Sequence, residues 1–329
     1  MYEGIKLAVL GCGKWGINHI KTAYEILGDN LIAVCDINKD HLEAVHKVNP
    51  GIKFCNKFEK LVKDTDINTV IIATPAETHY ELAKYCLTHG KNLLVEKPIS
   101  LLSEETKDLI EIAEKSKVFL MVGHVLLYHP AILKIKENID NGLIGSVQYI
   151  YSNRLNLGQI RKEENILWSF APHDISIIQF LLEKYPTDVY AKGCRMVQNN
   201  IEDSTITYLV YPDNIHAHIF VSWLHPFKEH RLVVIGDKGM FVFEDTLKRE
   251  KLKFYRKGFS VVDGEIEKFD SDFEIMNYED KQPLKEEQKH FFECILENKK
   301  PRTDGDHALA VLLILEQAQE SLKNFNDGK

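Results

Sequence analysis

The apolar run Ile5 to Leu10 and the Gly11-Cys12-Gly13-Lys14-Trp15-Gly16 that follows it constrain this chain more than any other segment. A strand-length run leads into three glycines at G-x-G-x-x-G spacing, and a helical stretch begins there. Glycines allow a tight turn and close approach of backbone to a ligand, and the helix N-terminus turns free N–H groups toward a pyrophosphate. Asp36 ends the next apolar run, twenty residues beyond Gly16, where a carboxylate bonds a ribose hydroxyl. Together these features predict a dinucleotide site built from Gly11, Gly13, Lys14, Trp15, Gly16 and Asp36. A carboxylate at 36 repels a 2′-phosphate, and Ile37-Asn38 supplies no arginine, although Lys39 is close by. The expected cofactor is therefore NAD rather than NADP.

The rest of the first third keeps the same rhythm. Leu31 to Asp36, Thr69 to Ala73, Asn92 to Val95 and Val118 to Val122 are short apolar runs that suit strands buried on both faces. Between them lie amphipathic stretches. His79 to Gly90 puts Leu82, Ala83, Cys86 and Leu87 on one face, with Gly90 placed to close the helix. Ser103, ahead of Glu104 and Glu105, reads as an N-cap for a helix through Lys115. This alternation predicts a doubly wound parallel α/β sheet, a Rossmann domain over residues 1–123. The pattern then changes. Val147 to Tyr151, Val189 to Val197, Thr205 to Tyr211, His216 to Trp223, Arg231 to Ile235, Met240 to Phe243 and Leu252 to Tyr255 are closely spaced strand candidates separated by turn signals. They predict an open, largely antiparallel sheet in an α+β domain over 124–329. One helix from Pro172 to Glu183 interrupts it, and two more, Leu284 to Glu297 and Asp306 to Leu322, close the chain. Ser260 to Gln282 reads as a soft region.

Bulk properties narrow the function classes. A net charge of −8 with no long basic run argues against a nucleic-acid partner. The six cysteines are scattered without a C-x-x-C pair, so reduced thiols are expected, with no disulfide framework and no metal site. Met1-Tyr2-Glu3-Gly4 leads straight toward the first strand, and no apolar run reaches membrane-spanning length; a cytoplasmic protein with no membrane association is expected.

Ligands of open parallel sheets bind outside the carboxyl ends of the strands. Two segments fall there. Ala73-Thr74-Pro75 ends one run, with His79 following; Thr74 and Pro75 are expected beside the cofactor, and His79 either joins them or caps the next helix. Leu93-Leu94-Val95 runs into Glu96-Lys97-Pro98, which sets Glu96 and Lys97 at a strand edge as expected cofactor contacts.

With these residues in place the chain resembles the Gfo/Idh/MocA oxidoreductases. The resemblance rests on Gly11 to Gly16, Asp36, Ala73-Thr74-Pro75 with His79, and Glu96-Lys97-Pro98, and extends to Pro301-Arg302-Thr303-Asp304-Gly305. It implies a Rossmann domain followed by an open sheet that binds substrate and mediates oligomerisation, here a homodimer or homotetramer. It also implies hydride transfer between NAD(P) and a sugar or cyclitol hydroxyl. The family's motif lysine maps to Lys97, touching cofactor and substrate, and its substrate-domain histidine maps to His173. The aspartate that often precedes that histidine by four residues is Ser169 in this chain. Asn153 to Arg161, Trp168, His173, Gly123-His124 and Tyr128-His129-Pro130 resemble the branch acting on nucleotide sugars. That branch oxidises C3 of a UDP-N-acetylhexosamine, UDP-GlcNAc or its uronic acid, to a 3-keto sugar. A PLP aminotransferase then consumes the product in polysaccharide biosynthesis.

The chemistry of the residues fits such a reaction. Oxidising a secondary alcohol needs a hydride acceptor and a base for the hydroxyl proton. Lys97 either takes that proton or stabilises the alkoxide while His173 takes it. Arg154 and Arg161 suit a diphosphate or carboxylate, Trp168 suits a sugar or uracil face, and His124, Tyr128 and Asn156 complete the expected substrate contacts. Each residue also has an ordinary reading: an ion pair for Lys97, a helix cap or core position for His173, packing or surface for the arginines and Trp168. The competing functions are a dehydrogenase of a free sugar, sugar acid or cyclitol, an NAD-dependent glycosidase, and a non-catalytic NAD-bound regulatory protein.

Overall fold

A computed structural model describes residues 2–47 and 51–326 of the chain. Two compact units emerge: Met1–His129 with Lys281–Leu309, and Pro130–Asp280 with Ala310–Lys329.

The first unit is built on six strands, β1 Leu7–Leu10, β2 Leu31–Cys35, β3 Lys53–Cys55, β4 Thr69–Ile72, β5 Asn92–Glu96 and β6 Leu120–Gly123. They lie in the order β3-β2-β1-β4-β5-β6, all parallel. The crossovers carry α1 Gly16–Leu27, α2 Lys39–His46, α3 Phe58–Val62, α4 His79–Thr88 and α5 Ser103–Ser116. β1 and β4 are buried at every position, which is why they read as unbroken apolar runs. On one face of the sheet Leu10, Ile72, Val95 and Val122 pack with Ala83, Cys86 and Leu87 of α4 and Leu109 and Ala113 of α5. Gly90 takes φ +72 just past α4, and its N–H donates to the Leu87 carbonyl, as the glycine's position predicts. Ser103 is the first helical residue of α5 rather than its cap; Leu102 holds the cap position and makes no side-chain cap bond.

The second unit has eight strands, β7 Val147–Leu157, β8 Asp188–Cys194, β9 Ser204–Tyr211, β10 Ile215–Ser222, β11 Leu224–Gly236, β12 Met240–Glu244, β13 Leu252–Val262 and β14 Glu265–Ile275. Their order is β14-β13-β12-β11-β7-β10-β9-β8. Only β7 and β10 pair parallel, because the unit's first strand is inserted at the centre of an otherwise antiparallel sheet. Helices α6 Pro130–Asp140 and α7 Ile166–Leu182 belong to this unit.

Two expectations are corrected here. Helix α7 starts at Ile166, not Pro172: the Asn165 side chain accepts the Trp168 N–H and caps the helix, and Pro172 lies inside it. Proline has no N–H, so the Trp168 carbonyl loses its usual partner one turn on. The stretch read as soft holds β14 and the end of β13, joined at Asp263-Gly264 with φ +50 and +86. Two successive positive φ values are the signature of a tight hairpin turn. Nearly every β14 side chain is exposed, and most of its positions are polar or charged.

The chain closes with α8 Pro283–Glu297 and α9 Gly305–Asn326. Helix α8 packs on α1 and on the turn Val125–Tyr128. The first unit therefore runs six residues past Gly123 and takes in a C-terminal segment that sequence reading assigned to the second domain.

Candidate functional site

The glycine turn has three different constraints. Gly11 has φ +90, and a Cβ there would lie 2.5 Å from the Ala73 carbonyl oxygen. A Cβ on Gly16 would lie 2.1 Å from the Gly11 oxygen. The chain itself thus requires both glycines. Gly13 differs, since its Cβ would meet nothing nearer than His41 at 3.8 Å. The space over Gly13 is a cradle that a side chain would fill and that suits a pyrophosphate approaching the backbone. The residues present therefore fit a dinucleotide.

Asp36 follows β2. Its carboxylate accepts the Cys12 N–H at 2.7 Å, the Asn38 N–H at 2.8 Å and a His41 contact at 3.1 Å. Burial pushes this carboxyl up, but those donors outweigh it and hold it below the ordinary carboxylate range. The acid is ionised and aimed beside the glycine turn, as a ribose ligand must be. His41 was not legible as a partner in the sequence.

Glu96 ends β5 and is turned inward. Trp15 Nε1 donates to it at 2.5 Å and His19 Nε2 at 2.7 Å. The Gln288 amide of α8 donates to His19 Nδ1 and to the His19 carbonyl, both at 3.1 Å. Glu96 and Trp15 thus tie the glycine turn to β5, where a direct cofactor contact was expected. Beside this network Glu287 of α8 is wholly buried, and neither carboxylate oxygen has a hydrogen-bond partner. Burial, reinforced by Glu96, drives its carboxyl well above the ordinary range, so Glu96 is the ionised member and Glu287 the protonated one. Nothing local in the sequence announces this arrangement, because α8 arrives from nearly two hundred residues downstream.

Lys97 follows Glu96 at the carboxyl edge of the sheet and is half-buried. The ring nitrogens of His79 face the Pro98 carbonyl at 2.7 Å and the Thr74 carbonyl at 2.9 Å. His79 is 1% exposed; it pins the Thr74-Pro75 turn to the one after Lys97 and does not itself present a ligand group. His124 leaves β6 next to Lys97's strand. Burial, then His307 and the Lys97 charge, keep its imidazole well below the usual range, and its Nδ1 is buried without a partner. The His307 ring lies 5.3 Å away, edge to face. Tyr128 turns inward instead of toward a substrate: its hydroxyl lies 3.0 Å from Thr303 Oγ1, and the Arg302 guanidinium covers its ring.

In the second unit Arg154 is a strand residue of β7 held by Asp174. Its Nε and Nη2 donate to the two carboxylate oxygens at 2.8 and 3.0 Å, and Ser152 donates to the same group at 2.6 Å. Arg154 therefore fixes α7 to β7, and a diphosphate would have to compete with Asp174 for it. Arg161 is exposed, with Glu164 at 3.3 Å. Trp168 donates its indole N–H to Gln319 at 3.0 Å, leaving its ring half-buried. Asn156 Oδ1 is buried without a partner. His173 is half-buried in the middle of α7, one turn after buried Ser169. His216 and His218 meet Tyr208 and Tyr149 across the strands, which makes them sheet residues.

A six-stranded parallel sheet with this turn, this acid and a lysine at the carboxyl edge defines a dinucleotide-dependent oxidoreductase. Residues 5–124 match an oxidoreductase family model described as an NAD-binding Rossmann fold, and residues 132–242 match the C-terminal domain model of the same family. The chain belongs to the Gfo/Idh/MocA family. It is 27% identical over 98% of its length to scyllo-inositol 2-dehydrogenase (NAD(+)) of Bacillus subtilis, covering 96% of that protein. It is 26% identical over 72% of its length to inositol 2-dehydrogenase of Salmonella typhimurium, covering 73% of it. UDP-N-acetylglucosamine 3-dehydrogenase GnnA from Acidithiobacillus ferrooxidans superposes with a TM-score of 0.84 at 22% identity, covering 97% of both chains; that likeness shows the fold. The protein is thus an NAD-dependent oxidoreductase of a family acting on sugar or cyclitol alcohols. Among the described residues no helix is long and apolar enough to cross a membrane.

Proposed function

We propose that the protein oxidises the C3 hydroxyl of a UDP-N-acetylhexosamine, leaving a 3-keto nucleotide sugar for a later amination. The observation that carries this reading is on α7. The position one turn before His173 is Ser169, and the neighbouring carboxylate, Asp174, is already bound by Arg154 and Ser152. His173 thus lacks the upstream aspartate that the resemblance associates with inositol oxidation. Arg161 remains as the exposed guanidinium suited to a diphosphate.

The glycine turn and Asp36 would hold NAD, which would supply the hydride acceptor. Lys97 is the group for the hydroxyl oxygen and His173 the second acid/base group. If Lys97 works as an ammonium that stabilises the alkoxide, Lys97→Arg keeps part of the turnover; if it takes the proton, Lys97→Arg is as inactive as Lys97→Ala. A cyclitol dehydrogenase is the second reading, favoured by the 27% identity to the Bacillus subtilis enzyme.

The test is absorbance of reduced nicotinamide after mixing NAD-loaded protein with UDP-GlcNAc, its uronic acid, free GlcNAc and scyllo-inositol. Reduction by a UDP-sugar, with loss of the C3 proton signal in the product, is expected. Reduction by inositol alone overturns the substrate assignment in favour of the second reading.

A further inference from the structure

Three thiols surround the residue that would hold the ribose. Cys35 is the last residue of β2, directly before Asp36, and Cys55 is its register partner at the end of the edge strand β3. Cys12, in the glycine turn, approaches the Cys35 carbonyl with its sulfur at 3.9 Å. The backbone joins the same groups: the Gly11 N–H donates to the Cys35 carbonyl at 2.8 Å, and the Asp36 N–H donates to the Cys55 carbonyl at 3.2 Å. Cys35 and Cys12 are buried, whereas Cys55 is partly open to solvent.

We propose that Cys55 and Cys35 form an oxidisable thiol pair, a modification site for peroxides whose oxidation weakens dinucleotide binding through Asp36. The two side chains leave neighbouring parallel strands as register partners and point to the same side. The neighbouring Cys35 thiol, with help from Lys60 and against opposing burial and Glu59, brings the Cys55 thiol down to about 7, while Cys35 is driven up. Cys55 is thus the nucleophile and Cys35 the resolving thiol. In the first step the Cys55 thiolate attacks the peroxide; an S–O bond forms, the O–O bond breaks, and hydroxide leaves. In the second step Cys35 attacks the Cys55 sulfenic acid; an S–S bond forms, the S–O bond breaks, and water leaves. The pair gives up two electrons in all, one per sulfur, and they reduce the peroxide to hydroxide and water.

Closing that bond moves the strand edge. A disulfide draws its two Cβ atoms to about 3.5–4.5 Å, while its Cα separation of about 4.4–6.8 Å is one that adjacent strands already have. The end of β3 must therefore turn against β2 rather than close on it. The Cys55 carbonyl, which accepts the Asp36 N–H, moves with it, and the Asp36 carboxylate is re-aimed. This inference concerns the dinucleotide site and stands whatever substrate the enzyme takes.

The experiment treats the purified full chain with hydrogen peroxide, with and without dimedone. Intact mass and peptide mapping follow the cysteines, and quenching of tryptophan fluorescence reports NAD binding. Wild-type protein is expected to lose two hydrogens at the Cys35–Cys55 pair and about tenfold in NAD affinity, with both restored by dithiothreitol. Cys35→Ser, or Cys35→Ala if serine disturbs the buried position, is expected to trap a dimedone adduct on Cys55. Cys55→Ser is expected to keep its affinity through the treatment. First oxidation at another cysteine, or NAD affinity unchanged in protein oxidised at this pair, overturns the proposal.

Discussion

Glu287 gives the sharpest stability prediction. Its side chain is 0% exposed, both oxygens lack partners, and ionised Glu96 raises its pKa further. In the unfolded chain the same carboxyl titrates near its ordinary 4.5. Above that pH the unfolded chain releases this proton and the folded chain keeps it, so the folded state binds more protons and stability falls as pH rises. The loss is about 1.4 kcal/mol per pH unit until the folded carboxyl itself titrates. Glu287→Gln keeps the shape and removes the titration. Relative to wild type it is expected to gain stability steadily as pH rises above the ordinary range, by about 1.4 kcal/mol per pH unit until the folded carboxyl titrates, with little difference near the ordinary pKa. Urea unfolding of both proteins across this range, followed by tryptophan fluorescence, measures the difference directly. A difference that stays flat with pH would refute the claim that Glu287 is protonated in the folded protein.

Other substitutions test the remaining parts. Gly16→Ala puts a methyl 2.1 Å from the Gly11 oxygen; overpacking of that size costs about 1–3 kcal/mol, and NAD binding by fluorescence titration is expected to be lost with it. Asp36→Ala removes the acceptor of the Cys12 and Asn38 N–H groups and the repulsion of a 2′-phosphate, so the ratio of NAD to NADP affinity is expected to fall at least tenfold. Arg154→Ala leaves Asp174 buried with Ser152 as its remaining side-chain donor among these bonds, at a cost of about 3–5 kcal/mol; a thermal melt as high as wild type would restore Arg154 to the list of free phosphate ligands.

The first unit was legible because its signals are local. Apolar runs mark strands buried on both faces, and the glycine turn and Asp36 sit within one βαβ unit, where the structure also puts them together. What escaped was set by distant partners or by exposed surface. Glu96 looked like a ligand beside Lys97 because the sequence does not show His19, Trp15 and Gln288 converging on it. Tyr128 and Arg154 carry the right chemistry for a substrate, yet Thr303 and Asp174 engage them from 175 and 20 residues away. Pro172 in the sequence outweighs the Asn165 cap of α7, and β14 is obscured by its mostly charged, exposed positions. The Asp263-Gly264 turn was the available signal for that hairpin.

Under the proposed function Lys97, at the carboxyl edge of the NAD-binding sheet, takes part in oxidising a nucleotide-sugar alcohol. A single-turnover mixing experiment with UDP-GlcNAc and its uronic acid, comparing wild-type and Lys97→Ala protein loaded with equal NAD, tests it most directly. The expected result is a rapid rise of reduced nicotinamide in the wild type and a rate at least a hundredfold lower, about 3 kcal/mol of barrier, in the variant. Equal rates in the two proteins would contradict the role of Lys97. No reduction in either, with scyllo-inositol reducing the same NAD-loaded wild type, would contradict the nucleotide-sugar assignment.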